Sequence, residues 1–407
     1  MSGTLTTTYT VEGNVTGTGG YPTVVSEAWV GGPGDDGVPE RTLIVYNATI
    51  NGRWTSTVHL IGGAGDDVLA GDANTNHIEG GVGNDTVTSV AFVGTLEGQG
   101  GDDWLRGGAS YDDLIGGSGD DTLDGGSGFD LAIYTHAAAH AVNVDLRITG
   151  PQDTGERRDV LTGIEGIQDG DDGPGAFADL TGDGNANLLT GAGGDDVIYG
   201  LGGDDTITDE AFVGVDGDGY PLAPAENTSD YLRGGDGNDL ISGGDDFDDL
   251  NGNQGNDTVH GDAGDDWVAG GKDNDLLYGD EGQDVVLGNL GNDTCDGGSG
   301  NDLVRGGEGD DSLGGGTADD WLSGDLGSDT LSGGAGADIF HSFGEAGVDR
   351  VTDFNLGEGD RVMLDQDSVY TVAQVGADTV ITVGGGAQII LVGVQLSTFS
   401  GAWIFEG

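Results

Sequence analysis

Twelve aspartates stand nine residues apart without a break: Asp239, Asp248, Asp257, Asp266, Asp275, Asp284, Asp293, Asp302, Asp311, Asp320, Asp329 and Asp338. Each follows a glycine by five residues, from Gly234 to Gly333. Carboxylates at one phase among glycines suit a hard cation. Calcium takes roughly six to eight oxygens from carboxylates and backbone carbonyls, and glycine lets a turn aim its carbonyls at one ion without side-chain clash. Ordinary turns require no carboxylate at a fixed phase, so the row reads as metal sites rather than as turn chemistry alone.

The elements that position these acids follow from what lies behind them. Two residues after each aspartate comes an apolar residue: Ile241, Leu250, Val259, Val268, Leu277, Val286, Cys295, Val304, Leu313, Leu322, Leu331 or Phe340. The unit G-[GND]-x-G-x-D-x-U-x predicts a six-residue turn and a three-residue strand with one inward side chain. Such a strand cannot bury its apolar face alone, and stacked copies create the core. The fourth position is glycine in nine copies and Asp246, Asp273 or Ala318 in the others. Aspartate tolerates left-handed backbone and alanine does not, which marks the Ala318 turn as the weakest of the row.

Further acids share the phase. Asp67, Asp85, Asp103, Asp112, Asp121 and Asp130 form an earlier block with Leu69, Ile78, Val87, Leu105, Leu114 and Leu123, interrupted from Ser89 to Glu97. Asn76 offers only a neutral oxygen there, so its site is expected to be weaker. Asn187, Asp196 and Asp205 resume the pattern, and Asp230 adds a thirteenth acid to the long block. The stretch from Asp205 echoes the stretch from Asp85 at an offset of 120, as in an internal duplication.

The segments GGDGNDLIS, GNQGNDTVH, GDAGDDWVA and GGSGNDLVR resemble the RTX repeats at the ends of serralysin-type proteases, bacterial lipases and alginate epimerases. The resemblance implies an all-β fold, a parallel β-roll (β-solenoid) with two repeats per coil and β-rich caps. It also implies calcium between repeats n and n+2, so that Asp239 and Asp257 share one ion and Asp248 and Asp266 another on the opposite edge. Carried along every phased acid named above, this gives on the order of 15 to 20 ions, which offset about half or more of the chain's charge.

That charge is −63, from 74 acidic and 11 basic residues. It excludes nucleic acid as a natural partner and would keep an ion-free chain expanded. Glycine at 87 of 407 residues suggests disorder, yet 35% apolar residues in phase with the turns argue for an ordered repeat fold. The lone Cys295 takes an inward strand position, the place of a small core residue, and allows no disulfide within the chain. The opening MSGTLTTTYTVEGN has neither the charged nor the apolar region of a secretory leader, and no run of eighteen apolar residues predicts a membrane span.

Residues 1–61 read as strands, among them Thr6 to Val11, that cap the first coil or form a carbohydrate- or partner-binding module; GGPGDDGVP at Gly31 imitates the repeat in isolation. Residues 62–133 are the first block, and 134–181 resemble a segment that adds strands and a loop beside the roll. Within it His136 and His140 have the spacing of a metal pair but lack a third ligand nearby. Residues 182–208 are the second block, 209–224 a loop insert and 225–341 the third block. Trp104, Trp267 and Trp321 precede inward positions and are expected to point outward, against inserted loops or toward a partner or sugar. Residues 342–407 resemble the segment after RTX repeats in proteins exported by type I secretion. That implies a C-terminal export signal, the type I machinery as a partner, and a secreted protein, extracellular or at the cell surface of a Gram-negative bacterium.

The sequence carries no His-Glu-x-x-His, Gly-x-Ser-x-Gly or phosphate loop, and each conspicuous acid pair belongs to the repeat. The expectation is therefore a non-enzymatic calcium-binding surface or matrix protein or adhesin, with itself or cell-surface polysaccharide as partner. The alternative is a secreted enzyme acting on polysaccharide through loops near 134–181 or 209–229.

Overall fold

The computed structural model describes residues 23–26, 42–50, 53–71, 75–89, 94–135, 142–155, 157–169, 177–191, 196–208, 229–399 and 401–407, with side chains from residue 61 onward except at 75 and 76. Parallel strands stack at a fixed register. Ile241 lies beside Val259, and Leu250 beside Val268, eighteen residues on in both cases. One coil therefore holds two repeats, and alternate repeats fall on opposite faces. A twenty-stranded sheet forms one face; a six-stranded and then a twelve-stranded sheet form the other. The fold is all-β, a parallel β-solenoid, as the repeat implies.

The core is the space between the faces. Ile207, Ile241, Val259, Leu277, Cys295, Leu313 and Leu331 form one inward row, and Ile198, Leu232, Leu250, Val268, Val286, Val304, Leu322 and Phe340 the other, none more than 3% exposed. Each aliphatic side chain so buried contributes about 1.5–3 kcal/mol, and every coil adds two.

The strands are longer than the sequence suggests. Leu240–Asp245 and Asp249–Gln254 each take in the first three residues of the following repeat, leaving a turn of only Asp246, Phe247 and Asp248. The glycine-rich half also bonds coil to coil: the Gly237 amide donates to the Gln254 carbonyl at 2.8 Å. The second position of the repeat is left-handed, with φ of 78° at Asn253, 68° at Asp262 and 75° at Asn289. Asn, Asp and Gly are the residues that tolerate that geometry, which accounts for the composition there.

Two expected interruptions are continuous in space. Gly94 occupies the aspartate phase, and Leu96 is fully buried between Ile78 and Leu114. Gly94–Gly100, the described strand that begins within the expected interruption, therefore continues the stack. Similarly, the described parallel strands within 134–181 belong to the stack itself, with only Gln152–Asp153 pairing antiparallel at its side. Leu161 stacks on Leu123, Ile167 on Ala132, and Val144 on Leu180, which in turn meets Ile198. The alternating apolar residues Val142, Val144, Ala178 and Leu180, all fully buried, draw this segment into the core.

At the N-terminal side, Thr23–Ser26, Thr42–Ile50 and Arg53–Ala64 pair antiparallel before the last of them enters the parallel stack. At the other end Val348–Val351 and Arg361–Leu364 extend the two faces, and Tyr370–Val375, Asp378–Val383 and Gln388–Leu391 form an antiparallel meander. Phe354 packs against Phe340 at 6.0 Å, Phe399 at 5.9 Å and Trp403 at 6.4 Å between ring centroids. No helix among the described residues is long and apolar enough to cross a membrane.

Candidate metal centre

Each phased aspartate ends a turn with its side chain pointing inward. All of them, from Asp67 to Asp338, are 3% exposed or less. Within the long block, one oxygen of each carboxylate is held by the coil before it. The Asp239 amide donates to Asp257 Oδ1 at 2.9 Å, Asp257 to Asp275 at 2.9 Å and Asp275 to Asp293 at 2.9 Å. On the opposite edge Asp230, Asp248 and Asp266 donate in the same way to Asp248, Asp266 and Asp284, each at 2.8 Å. The structure thus stacks Asp239 with Asp257 and Asp248 with Asp266, the pairs expected to share an ion.

The second oxygen has a different environment. Oδ2 of Asp85, Asp103, Asp121, Asp130 and Asp205, and of every aspartate of the long block from Asp239 to Asp338, is buried without a hydrogen-bond donor; at Asp112 the bare atom is Oδ1. An anionic oxygen so placed is costly unless a cation or proton meets it. The glycine at the first repeat position faces these atoms. A Cβ on Gly234 would stand 2.1 Å from Asp239 Oδ2 and 2.8 Å from the Gly252 carbonyl oxygen, and one on Gly288 would stand 2.4 Å from both Asp293 Oδ2 and the Gly306 carbonyl oxygen. Neither glycine has a left-handed φ. The position is glycine because carboxylate and carbonyl oxygens converge there. An all-oxygen donor set of that kind fits calcium.

Burial raises the carboxylate pKa values, and neighbouring carboxylates add to it. Asp248 and Asp266 are pushed up to about 8, Asp112, Asp121, Asp205, Asp275, Asp284, Asp311 and Asp320 to about 7, and Asp103, Asp130, Asp239, Asp257 and Asp338 to about 6. Asp85, Asp293, Asp302 and Asp329 are also raised, desolvation leading. Burial likewise pushes the Cys295 thiol well up, in keeping with a core residue rather than a nucleophile.

Sequence reasoning missed members of the ladder. The Asp121 amide donates to Asp159 Oδ1 at 2.8 Å, Asp329 to Asp349 Oδ1 at 3.4 Å, Asp338 to Asp360 Oδ1 at 3.2 Å and Asp130 to Glu165 Oε2 at 3.0 Å. Their spacings of 38, 20, 22 and 35 residues hide them from a nine-residue ruler. The signal that finds three of them is local: Asp159, Asp349 and Asp360 each precede a buried Leu161, Val351 or Val362 by two residues. Asn187 keeps the phase, its amide donating to Asp205 Oδ1 at 2.8 Å and its own Oδ1 accepting from the Asp183 amide at 2.8 Å.

The remaining sequence candidates divide. Asn76 lies in the strand Thr75–Val82 with its side chain outside the described residues; Thr6 to Val11, GGPGDDGVP, His136, His140 and the insert expected at 209–224 also lie outside them. Trp104 and Trp267 point outward, nearly half exposed, and Trp321 stacks on His341 at 5.1 Å. Ala318 adopts φ 83° despite its side chain.

Among solved structures, the extracellular lipase LipA from Serratia marcescens is similar over 60% of this chain and 44% of its own, at 16% identity and a TM-score of 0.24. The chain thus spans less than half of that protein's length, and a likeness so loose carries nothing about activity. No curated protein matches. The family described as RTX calcium-binding nonapeptide repeat (4 copies) matches residues 59–87, 97–132, 180–208, 225–259, 260–295, 287–318, 296–331 and 314–342. With the repeat, the two-faced solenoid and the inward carboxylates in agreement over half of its length, the chain belongs to the RTX calcium-binding repeat proteins.

Proposed function

We propose that this is a secreted protein whose folding calcium drives and whose role lies in its surface, as a structural protein of the cell surface or extracellular matrix or as an adhesin. The observation that supports it is the column of buried carboxylate oxygens without hydrogen-bond donors, converging on glycine carbonyls in coil after coil. On this reading the phased aspartates are the ligands. Asp239 and Asp257 hold one ion and Asp248 and Asp266 the next on the other edge, on the order of 15 to 20 ions in all. Asp159, Asp349 and Asp360 extend the set. Bound calcium neutralises the ladder; the chain's part is to present two stacked carboxylates and the glycine carbonyls to each ion from a rigid coil. Residues 342–407 act as the type I export signal, and ends of the rod that remain open pair with a second copy or with surface polysaccharide.

Far-UV circular dichroism in excess chelator and then in millimolar calcium tests the first part. At neutral pH strand signal should appear only with calcium, and identical spectra would reject the ligand assignment. Light scattering at rising calcium, beside turnover assays on acidic polysaccharides, tests the second. Growth of particles without turnover is expected; a monomer that cleaves polysaccharide would replace this reading with that of a secreted enzyme.

A further inference from the structure

Outside the ladder, His260, Asp262 and Asp280 bring one imidazole and two carboxylates together on the outer surface of the twenty-stranded sheet, with ligand atoms all within 4.8 Å of one another. His260 Nδ1 lies 2.9 Å from Asp280 Oδ2, and the two side chains are about one-third exposed, at 35% and 38%. None of the three occupies the aspartate phase, so the calcium ladder does not account for their meeting. Asp262 and Asp280 share the second repeat position one coil apart, at φ 68° each, where asparagine or glycine would serve the backbone equally well.

Neighbouring coils hold the cluster in place. The His260 ring stacks on Tyr278 with centroids 4.5 Å apart and planes 9° from parallel, and Ser242 Oγ donates to Asp262 Oδ2. Each of these contacts fixes a ligand from outside the triad, as the surroundings of a metal site do. The donor set also differs in kind from the ladder. Calcium prefers oxygen alone, whereas one imidazole with two carboxylates suits a borderline divalent ion such as zinc, cobalt or manganese.

We propose that His260, Asp262 and Asp280 form a site for one divalent transition-metal ion, separate from the calcium ladder and open to solvent at its remaining coordination positions. Around a tetrahedral ion, ligand atoms sit roughly 3.4 Å apart, from metal–ligand lengths of about 2.0–2.2 Å. Partly exposed side chains reach that spacing by small rotations about their own bonds.

The test uses the full chain saturated with calcium and titrated with cobalt(II), followed by visible absorbance and calorimetry. The wild type should bind one equivalent with a ligand-field band, millimolar calcium should not displace it, and zinc should. His260→Ala should abolish the band while calcium-dependent circular dichroism stays unchanged, and Asp280→Asn should weaken cobalt binding tenfold or more. His77→Ala, which alters a histidine beside Glu79 on the same sheet, should leave the band intact. If His260→Ala binds cobalt with the same stoichiometry and spectrum as the wild type, or if calcium competes for the ion one for one, the metal sits elsewhere and the proposal is overturned.

Discussion

Asp266 donates its backbone amide to Oδ1 of Asp284, one coil further on, at 2.8 Å, while Oδ2 of Asp284 is buried without a donor. One carboxylate thus has a structural oxygen and a spare one. Asparagine at 284 keeps the first and removes the charge of the second. Asp284→Asn should therefore raise the calcium midpoint several-fold, yet leave the chelated chain no less ordered than the wild type. A calcium titration followed by circular dichroism checks both halves; a variant equally affected with and without calcium would show that Asp284 serves packing alone.

Acid should act oppositely on the two forms. Folding raises Asp248 and Asp266 to about 8 and Asp284 to about 7 because burial disfavours the charged form. The metal-free fold thus binds protons more tightly than the unfolded chain, whose aspartates titrate near about 4. Its stability is greatest at low pH and falls as pH rises toward 7 and 8. In chelator, strand signal should be stronger at pH 5 than at pH 8. With limiting calcium the order should reverse, since protons compete for the same oxygens. Signal independent of pH in chelator would contradict the burial of these groups.

Ala318 and Gly252 should respond in opposite directions to small changes. Ala318 adopts φ 83°, a conformation that costs an L-residue about 1–2 kcal/mol, so Ala318→Gly should stabilise the calcium-loaded fold by about 1 kcal/mol. A Cβ on Gly252 would stand 2.1 Å from Asp257 Oδ2, so Gly252→Ala should lower the melting temperature and weaken calcium binding together. Differential scanning calorimetry at fixed calcium reads both.

Removal of residues 342–407 should have two separable effects. Phe340 loses Phe354, and the last parallel strands lose Val348–Val351 and Arg361–Leu364, so the purified truncated chain should associate through its bared end. In the producing cell it should remain inside. Export of the truncated chain at normal yield would reject the signal assignment.

The coil was readable in the sequence because its two strongest demands are local: an acid at the end of a turn and an apolar residue two places later. The register of Ile241 on Val259 follows from that period alone. Less legible was whatever depends on the neighbouring coil. The strands exceed the three residues that the repeat predicts because the glycine-rich half gains its hydrogen bonds from the next coil, as Gly237 does from Gln254. Gly94 reads as an interruption because nothing local shows that Leu96 is clasped between Ile78 and Leu114. Asp159, Asp349 and Asp360 escape the nine-residue period because the connection between two coils can lengthen without moving either.

That last property reaches further. Ile198 meets Leu232, and Ile207 meets Ile241, across 34 residues instead of eighteen, yet the Asp205 amide still finds Asp239 Oδ1 at 2.8 Å. The stack keeps its register on either side of the longer connection between Thr208 and Ser229. The solenoid therefore behaves as a rail with interchangeable fittings: what is attached at such a turn can change in length and chemistry under selection while the rail keeps its gauge.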